Sequence, residues 1–220
     1  MNLVLLGSPG SGKGTQARLL TATYSLLWIS TGDLLRESLK KGTDLGSRAK
    51  RYMESGQLVP DDLVIDLIDE TIRRRGRRGG ILFDGFPRTL KQAAAIQKLL
   101  DRVGERIDYI IYLDVSNEEV VRRLSLRRSC PKCHRLYNLA TEPPSDGVHC
   151  DGCGSRLTLR SDDREEVIRS RLDVYQRETF PVMDWYEGKA VIVKVDGERQ
   201  PSEIQKDIGH TLDERARAGK

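Results

Sequence analysis

The stretch Gly7-Ser8-Pro9-Gly10-Ser11-Gly12-Lys13-Gly14-Thr15 stands between Leu3-Val4-Leu5-Leu6 and Gln16-Ala17-Arg18-Leu19-Leu20. Four apolar residues in a row read as a buried strand, the glycines as a tight turn, and the remainder as the first turn of a helix. A phosphate group needs that succession. Glycines let backbone N–H groups close around its oxygens, and the helix N-terminus adds a positive field. Lys13 supplies a point charge for the outer phosphates. The general pattern G-x-x-x-x-G-K-[ST] is met at Gly7 and at Gly12-Lys13, with one departure. Gly14 follows the lysine, and the hydroxyl is delayed to Thr15. A glycine-rich turn that binds nothing would not need the strand before it and the helix after it.

Outward from this loop, strand-like runs alternate with helical ones. Leu27-Trp28-Ile29-Ser30, Gly80-Ile81-Leu82-Phe83-Asp84, Tyr109-Ile110-Ile111-Tyr112-Leu113-Asp114 and Ala190-Val191-Ile192-Val193-Lys194-Val195 read as strands, making five with the first. A helix is expected after Thr31-Gly32-Asp33, another over about 44–54, and a third from Asp61-Asp62 with an apolar stripe at Leu63, Ile65, Leu67, Ile68 and Ile72. Thr89 opens a further helix, and Ser116-Asn117-Glu118-Glu119 caps the next. A long amphipathic helix is expected from Asp162-Asp163 to about Glu187, and a closing one from Pro201. This alternation predicts an α/β fold with a parallel sheet covered on both faces. Ligands bind at the carboxyl ends of such strands. Gly7–Thr15, Thr31–Arg36, Asp84–Arg88 and Asp196-Gly197 all fall at those ends.

A chain of 220 residues is long enough for one domain with insertions. Its formal net charge of +4 suits an anionic small ligand and excludes little by itself. The run Arg73-Arg74-Arg75-Gly76-Arg77-Arg78 reads as a solvated helix end rather than a nucleic-acid patch, because no aromatic stacking residues accompany it. No run of about 18 apolar residues is present, so no membrane span is expected. The chain begins directly on strand residues, so no signal peptide is expected either, and the expected location is cytoplasmic.

Cys130-Pro131-Lys132-Cys133 is followed by sixteen residues and then by Cys150-Asp151-Gly152-Cys153. Two CxxC pairs at that separation fall in the range of tetrahedral zinc sites. Each pair turns two thiolates toward one ion, at about 2.3 Å. A redox CxxC pair explains one half of the cluster and leaves the other idle. Four thiolates complete a closed site, so structural zinc (Zn2+) is expected at Cys130, Cys133, Cys150 and Cys153, with His134 and His149 left outside it.

Together these residues resemble the adenylate kinase family, in its long-lid bacterial form with a zinc-binding lid. The likeness rests on Gly7 to Thr15, on Ser30-Thr31-Gly32-Asp33-Leu34-Leu35-Arg36, on Phe83-Asp84-Gly85-Phe86-Pro87-Arg88 with Gln92, on Arg123 and Arg127, and on Arg160-Ser161-Asp162-Asp163 with Arg171. It covers nearly the whole chain, in order. The resemblance implies a P-loop NTPase-type doubly wound five-stranded parallel sheet, an AMP-binding helical insertion and a small lid. It implies a core over 1–29, 60–126 and 164–220, the insertion over 30–59, and the lid over 127–163. The implied activity is reversible phosphoryl transfer from ATP to AMP, giving two ADP, with magnesium (Mg2+), by a monomer that serves adenine nucleotide homeostasis.

By the same resemblance ATP is held at Gly10, Ser11, Gly12, Lys13, Gly14, Thr15, Arg123, Arg127, Leu136, Tyr137 and Arg199. AMP is held at Thr31, Arg36, Gln57, Leu58, Val59, Gly85, Phe86, Pro87, Arg88 and Gln92, with Arg160 and Arg171 as phosphate clamps. Lys13, Arg88, Arg123, Arg127, Arg160 and Arg171 share the charge of the transferring group. An AMP phosphate is already an anionic nucleophile, so no general base is needed. Asp84 is placed to hold the waters of the magnesium ion, and Asp162 and Asp163 either cap a helix or pair with arginines. Two rivals remain at this point. One is a UMP/CMP kinase, which usually has a shorter lid. The other is a nucleotide-dependent nucleic-acid-binding protein with a zinc ribbon, disfavoured because Tyr137 is the cluster's one nearby aromatic residue.

Overall fold

A computed structural model describes residues 1–75 and 79–218. Gly76, Arg77 and Arg78 of the basic run lie outside the described residues. The strands are β1 (Leu3–Gly7), β2 (Leu27–Ser30), β3 (Ile81–Asp84), β4 (Tyr109–Asp114), β5 (Arg127–Ser129), β6 (Leu136–Asn138) and β7 (Val191–Asp196). Five of them form one parallel sheet in the order β2-β3-β1-β4-β7. The central strand β1 is buried throughout. Its pleat sends Val4 and Leu6 into one apolar cluster and Leu3 and Leu5 into another, so both faces of the sheet are covered. Each fully buried side chain of this size contributes about 1.5–3 kcal/mol.

The helices are α1 (Lys13–Tyr24), α2 (Thr31–Lys40), α3 (Asp44–Ser55), α4 (Asp61–Arg75), α5 (Leu90–Asp101), α6 (Asn117–Ser125), α7 (Glu165–Val174), α8 (Val182–Tyr186) and α9 (Pro201–Ala218). Hydroxyl caps start several of them. Ser30 accepts from Asp33 N, Thr43 from Gly46 N, Thr89 from Gln92 N and Ser116 from Glu119 N. Such a cap contributes about 1 kcal/mol. Helices α2 and α3 lie so close that a Cβ on Gly46 would sit 2.3 Å from Ser38 O.

At the amino ends of the strands, Asn2, just before β1, is 3% exposed and ties the start of β3 to the loop that leads into β4. Its Oδ1 accepts from Ile81 N at 3.0 Å, and its Nδ2 donates to Arg106 O at 2.9 Å and to Glu105 Oε2 at 3.0 Å. The cleft described below lies at the opposite edge.

Two expectations about helices are corrected. The stripe of α4 that enters the core is Val64, Ile68, Thr71 and Ile72, while Leu63, Ile65 and Leu67 flank it. The long helix does not begin at Asp162. A 3-10 turn spans Ser161–Asp163, α7 starts at Glu165, and a π turn over Tyr175–Thr179 precedes α8. Pro181 explains the second break. It has no N–H and crowds the carbonyl four residues before it, so the ladder opens to a Phe180 N to Tyr175 O bond of 2.9 Å. The first break follows from the carboxylates of Asp162 and Asp163, which turn to arginines instead of capping.

Candidate active site

The loop after β1 folds as its glycines require. Gly10 and Gly12 have φ of +81° and +97°, conformations that side chains rarely adopt. Lys13 Nζ lies within this loop and donates to Gly7 O and Ser8 O, both at 2.7 Å, and to Ser11 Oγ at 3.3 Å. Burial, reinforced by the cations Arg88, Arg171 and Arg127 against the opposing pull of Asp84, lowers the Lys13 pKa to about 7. Asp84, at the carboxyl end of β3, faces the loop. Its Oδ2 lies 3.9 Å from where a Gly14 Cβ would stand. Burial raises the Asp84 pKa, with Lys13 opposing.

Arg36, Arg88, Arg123, Arg127, Arg160 and Arg171 are all half-buried around the same cleft. Arg88 Nε donates to Gly85 O at 2.8 Å, and Thr179 Oγ1 donates to Arg88 O at 3.0 Å. Arg127 grips Asp163 with two bonds, Nε to Oδ2 at 2.7 Å and Nη2 to Oδ1 at 2.5 Å. Arg171 Nη1 donates to Asp162 O at 2.8 Å and lies 3.4 Å from Asp163 Oδ1. Burial and then the neighbouring Arg171 lower the Arg88 pKa to about 10, and burial and then Arg36 lower that of Arg160 to about 9. Guanidinium stays protonated at neutral pH. The depressions register burial first and crowding of like charges second, and an anion placed among them relieves the crowding.

The cleft encloses about 960 Å3 along the carboxyl ends of the strands. It brings together the loop from Gly10 to Thr15, the six arginines, and Thr31, Gln57, Leu58, Val59, Gly85, Pro87, Gln92, Leu136 and Tyr137. Phe86 stands apart. It is 1% exposed and packs in the core, with its ring 6.1 Å from that of Phe83. Arg199 lines the cleft but its guanidinium is paired with Asp207 of α9. Gln92 spends its amide within the protein: Oε1 accepts from Arg88 N in the loop, and Nε2 donates to Asp61 Oδ1 at the start of α4, both at 2.8 Å. Thr31 Oγ1 donates to Gly85 O at 2.7 Å, which ties α2 to the same loop.

Several cleft residues were not legible as site residues. Asp33 accepts from Arg36 at 2.6 Å, and Glu119 holds both Arg122 and Arg123. The three- and four-residue spacings along helices carried that signal. Tyr175 and Thr179, the two ends of the π turn, also line the cleft, and Pro181 marks that turn.

Comparison with known proteins bears on this geometry directly. Residues 5–191 match the family-wide sequence profile described as adenylate kinase. The adenylate kinase of Methanocella arvoryzae is 47% identical over 94% of this chain and 96% of its own length. That of Archaeoglobus fulgidus is 44% identical over 97% and 98% respectively, and that of Pseudothermotoga lettingae 42% identical over 96% and 98%. The chain belongs to the adenylate kinase family. Adenylate kinases are nucleoside monophosphate kinases that work on ATP with magnesium, and a cleft that crowds six arginines and a loop lysine suits such polyanions.

Within this adenylate kinase fold, β5 and β6 pair antiparallel with the Cys130–Cys133 knuckle between them, and an antiparallel bridge of His149 with Arg156 flanks the Cys150–Cys153 knuckle. The four Sγ atoms lie within 4.8 Å of one another. Cys130 to Cys153 is 3.3 Å, Cys133 to Cys150 is 3.4 Å and Cys153 to Cys133 is 3.6 Å. Two sulfurs on one tetrahedral ion at about 2.3 Å stand roughly 3.8 Å apart, so the donor set fits a divalent metal. Tyr137 OH donates to Cys150 Sγ at 3.5 Å and accepts from Asp151 N at 2.9 Å, which orients the second knuckle.

Proposed function

We propose that this chain transfers the terminal phosphoryl group of ATP to AMP within the arginine-lined cleft, as an ATP:AMP phosphotransferase. One observation carries the reading. Lys13, Arg88, Arg127, Arg160 and Arg171 converge on one volume from five separate segments, and burial lowers the pKa of Lys13, Arg88, Arg160 and Arg171.

The loop from Gly10 to Thr15 takes the donor phosphates through backbone N–H groups, with Lys13 released from its carbonyl partners to reach them. Thr31, Arg36 and Arg88, with Gln57 to Val59 and the Gly85 to Pro87 turn, hold the acceptor; Phe86 supports that turn from the core. Gln92 sets the position of the Arg88 backbone. Arg123, Arg127, Leu136, Tyr137 and the backbone at Arg199 line the donor side. The phosphate oxygen of AMP attacks in line, and the arginines neutralise charge on the group in flight. Magnesium bound with ATP would neutralise further phosphate charge, and Asp84, whose carboxylate faces the loop, would hold its waters.

Residues 30–59 act as the AMP-binding insertion, 127–163 as the lid that excludes water, and 1–29, 60–126 and 164–220 as the core. A lid with so small a core needs a metal for its folding energy, and structural zinc on the four cysteines supplies it. This chain lines both the donor and the acceptor side of the cleft, so one copy suffices for the reaction, and the enzyme is read as a monomer. No helix among the described residues is long and apolar enough to cross a membrane, in keeping with a cytoplasmic enzyme of the nucleotide pool. The test is a coupled assay with ATP, magnesium and each of AMP, UMP and CMP, on this protein and on Lys13→Ala. AMP-dependent ADP formation that falls by about 10²–10³ in the variant is expected. Full activity of Lys13→Ala would refute the assignment, and preference for UMP or CMP would redirect it.

A further inference from the structure

Ser116-Asn117-Glu118-Glu119 has the spacing of a capping box, in which the fourth residue folds back onto the first residue's N–H. Ser116 plays its part by accepting from Glu119 N at 3.4 Å. Glu119 does not play the other. Glu198, from the turn after β7, takes the Ser116 N–H at 2.9 Å and the Ser116 hydroxyl at 2.7 Å. The Glu119 carboxylate is left for the cleft. Its Oε1 accepts from Arg123 Nε at 2.7 Å, and its two oxygens accept from Arg122 Nε at 2.6 Å and Nη2 at 2.7 Å. Hydrogen bonds from Arg122, then from Arg123, hold its pKa at about 2 against burial, so it is ionised at any working pH.

Arg123 is gripped at its other end as well, where Nη1 donates to Gly197 O at 2.9 Å. Two anchors on opposite sides of a planar guanidinium fix the plane as well as the position of the charge. The plane lies beside the turn at Gly197 to Gln200, on the donor side of the cleft.

We propose that Glu119 is a positioning residue for the ATP half of the reaction, acting through Arg123. The inference rests on the phosphotransferase reading above. Its feature is that an anion sits in a site for a polyanion. By charge alone, Glu119 opposes ATP and Arg122 favours it. By positioning, the ranking reverses, because Arg123 loses an anchor without Glu119 and loses nothing without Arg122.

The experiment measures KM for ATP and KM for AMP separately in Glu119→Gln, Glu119→Asp and Arg122→Ala. Glu119→Gln removes the charge but leaves the helix cap, which Ser116 and Glu198 maintain. It is expected to raise KM for ATP by about tenfold, with KM for AMP within about twofold and a fall in kcat smaller than the rise in KM for ATP. Glu119→Asp keeps the charge, shortens the reach and gives an intermediate rise. Arg122→Ala leaves KM for ATP within about twofold. A KM for ATP that stays level or falls in Glu119→Gln overturns the proposal, as does an equal rise for AMP or a rise in Arg122→Ala that matches Glu119→Gln. If Glu119→Gln fails to fold, the Glu119→Asp and Arg122→Ala pair decides by the same signs. Absence of ATP- and AMP-dependent turnover in the unmodified protein would instead sink the phosphotransferase reading and is seen before any variant is made.

Discussion

Replacing Asp163 with asparagine tests whether the arginine cluster is held by one buried carboxylate. Asp163 has no exposed side-chain surface and accepts two bonds from Arg127, which is 17% exposed. Asparagine keeps one acceptor oxygen and points an amide N–H at a guanidinium. One charged hydrogen bond is lost, about 1.5–3 kcal/mol, and the other falls to neutral strength, about 1 kcal/mol less. Arg171 keeps Asp162 through its carbonyl at 2.8 Å and its carboxylate at 3.2 Å, so that pair adds nothing to the sum. Water reaches part of Arg127, which places the loss near the low end, about 3 kcal/mol. For a chain of this size that lowers Tm by about 6–12 °C. The assay is thermal unfolding with and without ATP. ATP phosphates compete with Asp163 for Arg127, so saturating ATP is expected to raise Tm more in Asp163→Asn than in the unmodified protein. A loss under about 1 kcal/mol, or a smaller ATP-induced gain in the variant, would refute the reasoning.

The other predictions concern Lys13, the thiols and the insertion. The folded pKa of Lys13 is lowered to about 7 from the ordinary lysine value of 10.5, so between about pH 7 and 10 the unfolded chain binds more protons and this group makes stability rise with pH. ATP at Lys13 raises that pKa again, so binding at pH 8 takes up a proton, read as a buffer-dependent calorimetric enthalpy that vanishes in Lys13→Met. Chelation is expected to unfold residues 127–163 before the sheet, giving a new low-temperature step in the melt; an unchanged melt counts against the metal. Gly46→Ala pushes α3 off Ser38 O and is expected to raise KM for AMP severalfold with little change for ATP; equal effects on both substrates would show that α2 and α3 are not the acceptor side.

What the sequence made legible was local. β1 and its loop need nothing beyond a few adjacent residues, and the two CxxC pairs announce themselves by spacing alone. The unread parts depend on partners far along the chain. Asp162 and Asp163 read equally as a helix start or as partners of lid arginines, and only the fold decides for Arg127, thirty-six positions before Asp163. Phe86 sits inside a motif that reads as one binding turn, yet its neighbours in space are core residues. Glu119 carries a capping spacing that Glu198 satisfies from another element. Pro181 is a local signal for the break in the long helix, and the expectation of one helix to about Glu187 passes over it.

Asn2 has a consequence for how such a molecule can change. Just before β1, it ties the start of β3 to the loop that leads into β4 at one edge of the sheet, like the spine of a book, while every nucleotide-facing loop hangs from the other edge. Substitutions that retune the fore-edge leave the binding of the pages intact. New donors or acceptors can therefore be explored there without first loosening the sheet, whereas a change at Asn2 reaches all the loops at once and favours none of them.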